Sequence, residues 1–239
     1  MVKINSIICT YWPERVPNLG HIINSLQQGS VPPDNIFILN NNRNVNISMD
    51  GAYAINSQYN FMCRGKFASA MLDAADYYLF LDDDTAVGYR TIEKNMQYAD
   101  KDSCFGYLGM ILPENNLFSG STRVAPQDVN EITRCDTFCG CGMFMSFKSV
   151  VNMLELESKV RIGYLNEWPH QGDDIVAGLA NISNVIPMHD DERYVDLGWN
   201  GVAMGWGDPV AIGFQGRTYD QMRDEFTVHI KQIMDSEQK

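Results

Sequence analysis

The sequence contains no run of apolar residues that approaches the roughly 20 residues a transmembrane helix requires. Its first residues lead directly into a strand-like segment, without the charged and apolar regions of a secretory signal peptide. We therefore expect a protein that has no membrane span and resides in the cytoplasm.

Positive charge is also scarce. The 239 residues include 18 lysines and arginines against 30 aspartates and glutamates, which gives a formal net charge of -12. Affinity for a nucleic-acid backbone depends on neutralising its phosphates with lysine and arginine. The composition therefore argues against nucleic acid as a partner.

The cysteines lack the spacing of a structural zinc site. Zinc fingers combine two closely spaced ligand pairs, whereas the cysteine cluster within residues 135–141 has no second half of that kind. We expect buried, reduced thiols rather than disulfides or a structural metal. The six cysteines are Cys9, Cys63, Cys104, Cys135, Cys139 and Cys141.

No internal repeat or linker divides the chain, and a hydrophobic content of 45% is sufficient for one sizeable core. Up to about residue 100, strand-like segments alternate with segments of helical apolar spacing, and beyond it the pattern is mixed. We expect an α/β fold. The predicted strands span residues 4–10, 36–39, 53–55, 77–81, 105–112 and 142–147. The predicted helices span residues 16–28, 66–75, 91–98 and 219–234, with one more after residue 148.

Three consecutive acids, Asp82, Asp83 and Asp84, directly follow the apolar run at residues 77–81. A buried strand of a parallel sheet is apolar on both faces, and ligands bind beyond the carboxyl ends of such strands. Three adjacent carboxylates repel one another unless a positive charge lies among them, and a divalent cation is the natural partner. An acidic turn or a helix cap is the alternative.

The segment from Arg64 to Asp84 has a basic, glycine-containing helix start, then a helix, a strand and an Asp-x-Asp motif. This order and spacing resemble the donor site of GT-A-fold glycosyltransferases of the family 2-like group. Residues 8–15, together with Arg64, Gly65 and the three aspartates, most resemble the type found in chloroviruses, large DNA viruses of algae. The resemblance covers roughly residues 4–190. It implies one GT-A domain over residues 1–239 and, for a viral protein, the host cytoplasm.

The resemblance also implies two halves around one central sheet. The first, at about residues 1–100, is a Rossmann-like nucleotide-binding half. The second, at about residues 101–239, is a mixed-sheet acceptor-binding half.

The same resemblance assigns roles to the three acids. Asp84 binds a divalent metal that bridges the donor diphosphate, Asp82 contacts the ribose or a metal-bound water, and Asp83 lies between them. Manganese or magnesium suits carboxylate and phosphate oxygens better than zinc does.

Four further positions correspond to those that hold the nucleotide in this family. Thr10 and Tyr11 end the first strand, where the nucleobase passes, and a ring in the core is the alternative for Tyr11. The family often has an acid after the second strand to hold uracil, whereas this chain has Asn40 and Asn42, whose amides can pair with a base edge. A UDP-linked donor is the expectation.

Arg64 and Lys66 are candidates for binding the diphosphate or the nucleotide through their positive charge. A solvated helix start is the alternative for both residues.

Residues 172–178 resemble the family's acidic pair at the head of a helix. In inverting members the second acid is the general base, which corresponds to Asp174, with Asp173 beside it as a second catalytic candidate. Such a carboxylate takes the proton of the acceptor hydroxyl as that hydroxyl attacks the anomeric carbon. Simple capping of the helix is the alternative.

Three candidates lie outside these motifs. His189 follows the acidic pair at a distance where several GT-A families have a histidine on the metal or diphosphate, and a structural hydrogen bond is the alternative. Trp168 is a candidate for stacking on an acceptor sugar. The segment at residues 198–216, rich in glycine and tryptophan, is a candidate lid.

These features predict a metal-dependent glycosyltransferase that moves a sugar from a nucleoside-diphosphate sugar to a carbohydrate or glycoconjugate acceptor. Inversion is the expected course, and retention stays open. A nucleotidyltransferase is one alternative, but the glycine- and lysine-rich phosphate loop expected after the first strand is missing. A nucleotide-sugar-binding module without catalysis is the other.

Overall fold

The computed structural model describes residues 2–61, 63–140, 142–161, 172–197 and 217–237. The strands are β1 (Ile4–Thr10), β2 (Asn35–Asn40), β3 (Tyr53–Asn56), β4 (Tyr77–Asp82), β5 (Thr85–Val87), β6 (Cys104–Gly106), β7 (Gly109–Ile111), β8 (Thr122–Val124), β9 (Thr133–Cys135), β10 (Thr137–Phe138), β11 (Gly142–Ser146), β12 (Ser183–Val185) and β13 (Tyr194–Asp196). The helices are α1 (Val16–Gln28), α2 (Gly65–Ser69), α3 (Thr91–Tyr98), α4 (Phe147–Arg161), α5 (Asp173–Leu179) and α6 (Arg217–Glu237).

A mixed sheet forms the centre of the structure, with its eight described strands in the order β3-β2-β1-β4-β11-β6-β12-β9. β1 pairs in parallel with both β2 and β4, and β2 pairs in parallel with β3. β11 runs antiparallel to β4 and to β6. The remaining strands form the smaller sheets β10-β7-β8 and β13-β5. The chain therefore has the predicted mixed α/β architecture.

Helices pack on both faces of the central sheet, which explains why all seven residues of β1 are buried. On one face, Leu19 and Ile22 of α1 belong to the same apolar cluster as Ile8 of β1. The other face has its own apolar cluster, to which α2, α4, α5 and α6 contribute. Its members include Phe67, Val150, Ile175 and Phe226.

Two predicted elements differ from the structure. The helix predicted at residues 66–75 ends as α2 at Ser69 and continues only as the 3-10 turn Ala70–Leu72. The strand predicted at residues 105–112 is divided into β6 and β7, which belong to different sheets. That segment contains only apolar, tyrosine and glycine residues, so its pattern does not reveal where the chain leaves the central sheet.

Cys9, Cys104 and Cys135 are buried. None of the described helices has the length and apolarity needed to cross a membrane. Trp168, the candidate lid at residues 198–216 and Cys141 lie outside the described residues. The single-domain organisation stays a prediction.

The close packing of α5 on β10 depends on Gly178. A Cβ atom at this position would lie 2.3 Å from the Cα of Thr137. Because that neighbour is backbone, we expect Gly178→Ala to displace α5 and to lower the free energy of unfolding by roughly 1–3 kcal/mol.

Gly20→Ala in α1 is the matched control for this substitution. Its added Cβ meets no atom within 4 Å, and replacing a mid-helix glycine with alanine stabilises by roughly 0.5–1 kcal/mol. Urea denaturation of both variants measures the difference. Equal effects of the two substitutions would contradict the packing argument.

Candidate active site

The polar edge beyond β1 and β4 is the candidate active site. The two strands are parallel neighbours, and Cys9 pairs with Asp82 across them. The residues that follow, beginning with Thr10 and Asp83, therefore leave the sheet at the same edge. Ligands of parallel sheets bind at this edge.

Asp83 fixes the turn that follows β4. Its carboxylate accepts hydrogen bonds from Thr10 Oγ1 and Arg15 Nη1, both at 2.7 Å. Its carbonyl accepts a hydrogen bond from Asn18 Nδ2 at 3.1 Å. Burial raises the pKa of Asp83, while Arg15 and Thr10 oppose the rise. Asp83, which is only 4% exposed, thus faces the interior and fixes the backbone between Asp82 and Asp84.

Asp84 lies nearer the surface, with 23% of its side chain exposed. One carboxylate oxygen is 3.1 Å from Arg15 Nη1, and the other accepts a hydrogen bond from Thr85 Oγ1 at 3.1 Å. Burial and the negative charge of Asp82 raise the pKa of Asp84 to about 7, although Arg15 lowers it. Since one arginine serves two carboxylates, the charge of Asp84 is incompletely balanced.

Lys66 joins the two acidic motifs. It is 1% exposed, and its ammonium group donates a hydrogen bond to Asp82 Oδ1 at 2.8 Å. The same nitrogen lies 3.9 Å from Asp173 Oδ2. Burial alone would lower the pKa of Lys66, but the charges of Asp82 and Asp173 raise it well above its ordinary value. The alternative of a solvated helix start is therefore wrong for Lys66.

The second acidic pair begins α5, as predicted for the head of a helix. Gly172 precedes it with a φ of 93°, a left-handed conformation that favours glycine. Asp173 and Asp174 are 7% and 5% exposed. Burial raises the pKa of Asp173 to about 7 despite the nearby Lys66, and the charges of Asp174 and Asp82 add to the rise.

Asp174 is bound by the C-terminal helix. Its Oδ2 atom accepts hydrogen bonds from Arg223 Nη2 at 2.8 Å and from the backbone N–H of Gly140 at 2.9 Å. Its Oδ1 atom accepts one from the N–H of Ile175 at 2.9 Å. The guanidinium of Arg223 also lies 4.0 Å from the centroid of the Phe118 ring. This buried ion pair makes α6 part of the site.

Negative charge exceeds positive charge in this cluster. Its five aspartates are matched among the described residues by three cations, so that two negative charges are unbalanced when all acids are ionised. The cations are Arg15, Lys66 and Arg223. Arg64, predicted to bind the diphosphate, lies 3.9 Å from Glu157, and its role stays a prediction. The cluster therefore favours the binding of protons or of a cation, and Asp84 and Asp173 are the acids with pKa values of about 7.

Asp82 and Asp84 suit a divalent cation whose remaining ligands are phosphate oxygens. No group of three or more His, Cys, Asp or Glu side chains in the described part of the chain is arranged to hold a metal ion. Magnesium, however, is usually bound by one or two carboxylates together with substrate phosphates. The side chains of Asp82 and Asp84 are 27% and 23% exposed, so that both a cation and a phosphate could reach them.

The residues predicted to hold the nucleotide divide into two groups. Thr10 and Asn40 are 2% and 1% exposed, and they hold neighbouring segments, Asn40 by donating a hydrogen bond to Asn56 Oδ1 at 2.9 Å. Tyr11 is 41% exposed, and the side chain of Asn42 donates a hydrogen bond to its carbonyl at 2.9 Å. The structure thus brings Tyr11 and Asn42 together near the surface, with Thr10 and Asn40 as their supports.

Exposed aromatic rings lie on the loops that follow β1 and β3. The ring of Trp12 packs edge-on against Tyr11, with centroids 5.2 Å apart. Phe61 is bound to the loop after β2 through its N–H, which donates to Asn41 Oδ1 at 3.2 Å, and its ring lies 6.4 Å from that of Tyr59. The four rings are between 40% and 74% exposed. Such flat apolar faces suit a nucleobase or a sugar.

His189 lies apart from Asp84. β13 runs antiparallel to β5, and its first residue, Tyr194, pairs with the last residue of β5, Val87. Because His189 precedes β13 and Asp84 precedes β5, the two residues lie beyond opposite ends of this strand pair. The role of His189 as a metal ligand stays a prediction that this geometry does not support.

No protein-family model and no curated protein matches the chain. The function is therefore argued from the site itself. Several of its residues were not predicted from the sequence, because their partners are distant in the chain. Arg15 is 68 residues from Asp83, and Arg223 is 49 residues from Asp174. No local pattern marks a residue whose role depends on such long-range contacts.

Lys66→Met tests whether this lysine joins the two motifs. The substitution keeps most of the side-chain volume but removes the cation that Asp82 and Asp173 share. We expect the free energy of unfolding at pH 7 to fall by about 3–5 kcal/mol, as for one partner removed from a buried ion pair.

Lys3→Met is the matched control. Lys3 pairs with Asp73 through side chains that are 37% and 30% exposed, and exposed pairs contribute about 1 kcal/mol or less. Chemical denaturation compares the two variants. A loss for Lys66→Met no larger than that for Lys3→Met would show that Lys66 does not hold the cluster together.

Proposed function

We propose that this chain is a metal-dependent glycosyltransferase of the GT-A fold that transfers a sugar from a nucleoside-diphosphate sugar to a carbohydrate acceptor. The observation that carries the proposal is the meeting of two acidic motifs at Lys66. In glycosyl transfer, the group that holds the donor phosphates and the group that receives the acceptor proton must reach the same sugar. Asp82 and Asp173 lie 2.8 Å and 3.9 Å from one ammonium group, and this closeness supports the proposal.

The proposed site for the donor diphosphate is the partly exposed pair Asp82 and Asp84. These residues would hold manganese or magnesium together with phosphate oxygens. A bound divalent cation stabilises the negative charge that develops on the leaving nucleoside diphosphate. The unbalanced negative charge of the cluster supports a cation at this position.

The proposed nucleotide surface comprises the loops that follow β1 and β2. The exposed ring of Tyr11 offers a face for a base, and the side chain of Asn42 lies at the carbonyl of Tyr11. Amide groups can pair with the edge of uracil. UDP is therefore the nucleotide that we propose.

The proposed reaction is a single displacement that inverts the anomeric centre. The acceptor hydroxyl oxygen forms a bond to the anomeric carbon as the bond from that carbon to the diphosphate oxygen breaks. The electron pair leaves with the nucleoside diphosphate, and the hydroxyl proton passes to a carboxylate. One acid of the pair at the start of α5 supplies that carboxylate.

Nucleotidyl transfer is disfavoured by the segment after β1. A phosphate loop there would require glycine-rich backbone that wraps around phosphates. The chain instead forms the 3-10 helix Pro13–Arg15, whose last residue binds the carboxylate of Asp83.

Calorimetric titration with UDP, GDP and UDP-sugars, with and without manganese, tests the donor site. We expect UDP and a UDP-sugar to bind only with the metal, and Asp84→Ala to weaken binding at least tenfold, because a metal ligand is removed. Asp50→Ala, at an exposed turn before β3, is the control and should bind like the wild type.

Metal-independent binding, or binding that Asp84→Ala leaves unchanged, would contradict the donor site. Incubation of the metal-loaded protein with a UDP-sugar and a panel of sugar acceptors then separates a transferase from a binding module. Release of UDP that depends on both Asp84 and acceptor supports the transferase, whereas tight binding without any turnover supports the binding module.

A further inference from the structure

The two adjacent acids of α5 have different surroundings. The carboxylate of Asp174 accepts three hydrogen bonds, two of them on Oδ2, from Arg223 and from the N–H of Gly140. The third, from the N–H of Ile175, is on Oδ1. The charge of this carboxylate is paired with Arg223 at 2.8 Å, and backbone donors fix its orientation. Asp174 is therefore well suited to hold α5 against α6.

Asp173 faces the other motif. Its Oδ2 atom lies 3.9 Å from Lys66 Nζ, which in turn contacts Asp82. This is a longer and weaker contact than the 2.8 Å ion pair of Asp174 with Arg223. The acid of α5 that faces the proposed donor site is therefore Asp173, and its charge is the less fully compensated of the two.

The groups that face Asp173 explain its affinity for a proton. Lys66 of α2 supplies the nearby positive charge, whereas negative charge comes from three different elements. Burial raises the pKa of Asp173 to about 7 although Lys66 lowers it, which leaves the carboxylate able to take up a proton near neutral pH. The neighbouring acids are Asp174 of α5, Asp82 of β4 and Glu157 of α4. The pKa of the nearby Cys63 thiol is raised by burial, so that this thiol adds no charge.

We propose that Asp173 is the base that takes the proton of the acceptor hydroxyl, and that Asp174 and Arg223 form a positioning pair that fixes α5 against α6. This inference rests on the proposed glycosyl transfer. The acceptor oxygen bonds to the anomeric carbon, the diphosphate leaves with the electron pair of the broken bond, and the proton moves to an oxygen of Asp173. The pair Asp174–Arg223 takes no part in these bond changes.

Two sets of variants of the full chain separate the two roles. Asp173→Asn removes the proposed base but keeps the size of the side chain, and we expect kcat to fall at least about 100-fold, as for the loss of a general base. Donor affinity, measured by calorimetry with manganese, should change by less than about threefold, because the proposed metal ligands are intact.

The double variant Asp174→Asn/Arg223→Gln replaces both charges of the positioning pair with amides. We expect Asp174→Asn alone to lower the melting temperature, because Arg223 is then buried without its partner charge. The double variant should recover most of that loss and keep kcat within about tenfold of the wild type. A second substitution at Arg223 should not restore the kcat of Asp173→Asn.

A wild-type kcat in folded Asp173→Asn would overturn the assignment. So would a 100-fold loss of kcat in a folded double variant that still binds donor. If the double variant does not fold, the kcat of Asp173→Asn decides whether Asp173 is the base. Arg223→Lys, which keeps the positive charge beside Asp174, should then keep its turnover. Failure of the proposed function is distinct, because the wild type would then neither bind donor with metal nor turn it over.

Discussion

The ammonium group of Lys66 is the interaction on which the site depends. A cation that is 1% exposed has lost nearly all of its hydration, and nearby carboxylates compensate for that loss. Among the described residues, the carboxylates within 4 Å of its nitrogen are Asp82, at the end of β4, and Asp173, at the start of α5. The strand that ends in the acidic triad and the helix that carries the second pair are therefore held at one point.

Arg15 and Arg223 form ion pairs with the remaining acids of the cluster. Arg15 binds Asp83 and Asp84 after β4, and Arg223 binds Asp174 from the C-terminal helix. Each cation thus connects a different helix or turn to the carboxyl edge of the sheet. Within the part of the chain that the structure describes, the carboxylates of the cluster outnumber these cations. A cluster with more carboxylates than cations binds a proton or a metal ion in place of the missing charge.

The parts of this arrangement that depend on local pattern were predictable from the sequence. Asp82, Asp83 and Asp84 follow a short apolar run, which marks a strand end, and Asp173 and Asp174 begin a helix, as expected. The burial of Lys66 was not predictable, because a lysine at a helix start is solvated in most sequences.

The arginine partners were also beyond sequence reasoning, since each is far along the chain from its carboxylate. Spacing along the chain does not show on which side of the fold His189 lies. The antiparallel pairing of β13 with β5 carries it away from Asp84. Strand direction, which decides that outcome, is set by the tertiary fold and not by the residues around the histidine.

Titration of the aspartate carboxyl carbons by NMR tests the central claim most directly, first on the free protein and then with magnesium and UDP. The account predicts that Asp84 and Asp173 both titrate near pH 7 in the free protein, well above the ordinary aspartate value of 3.8. Magnesium and UDP should then lower the pKa of Asp84 strongly and leave Asp173 titrating near neutral pH. Titration of both carboxyls near pH 4 in the free protein, or no response of Asp84 to magnesium and UDP, would contradict it.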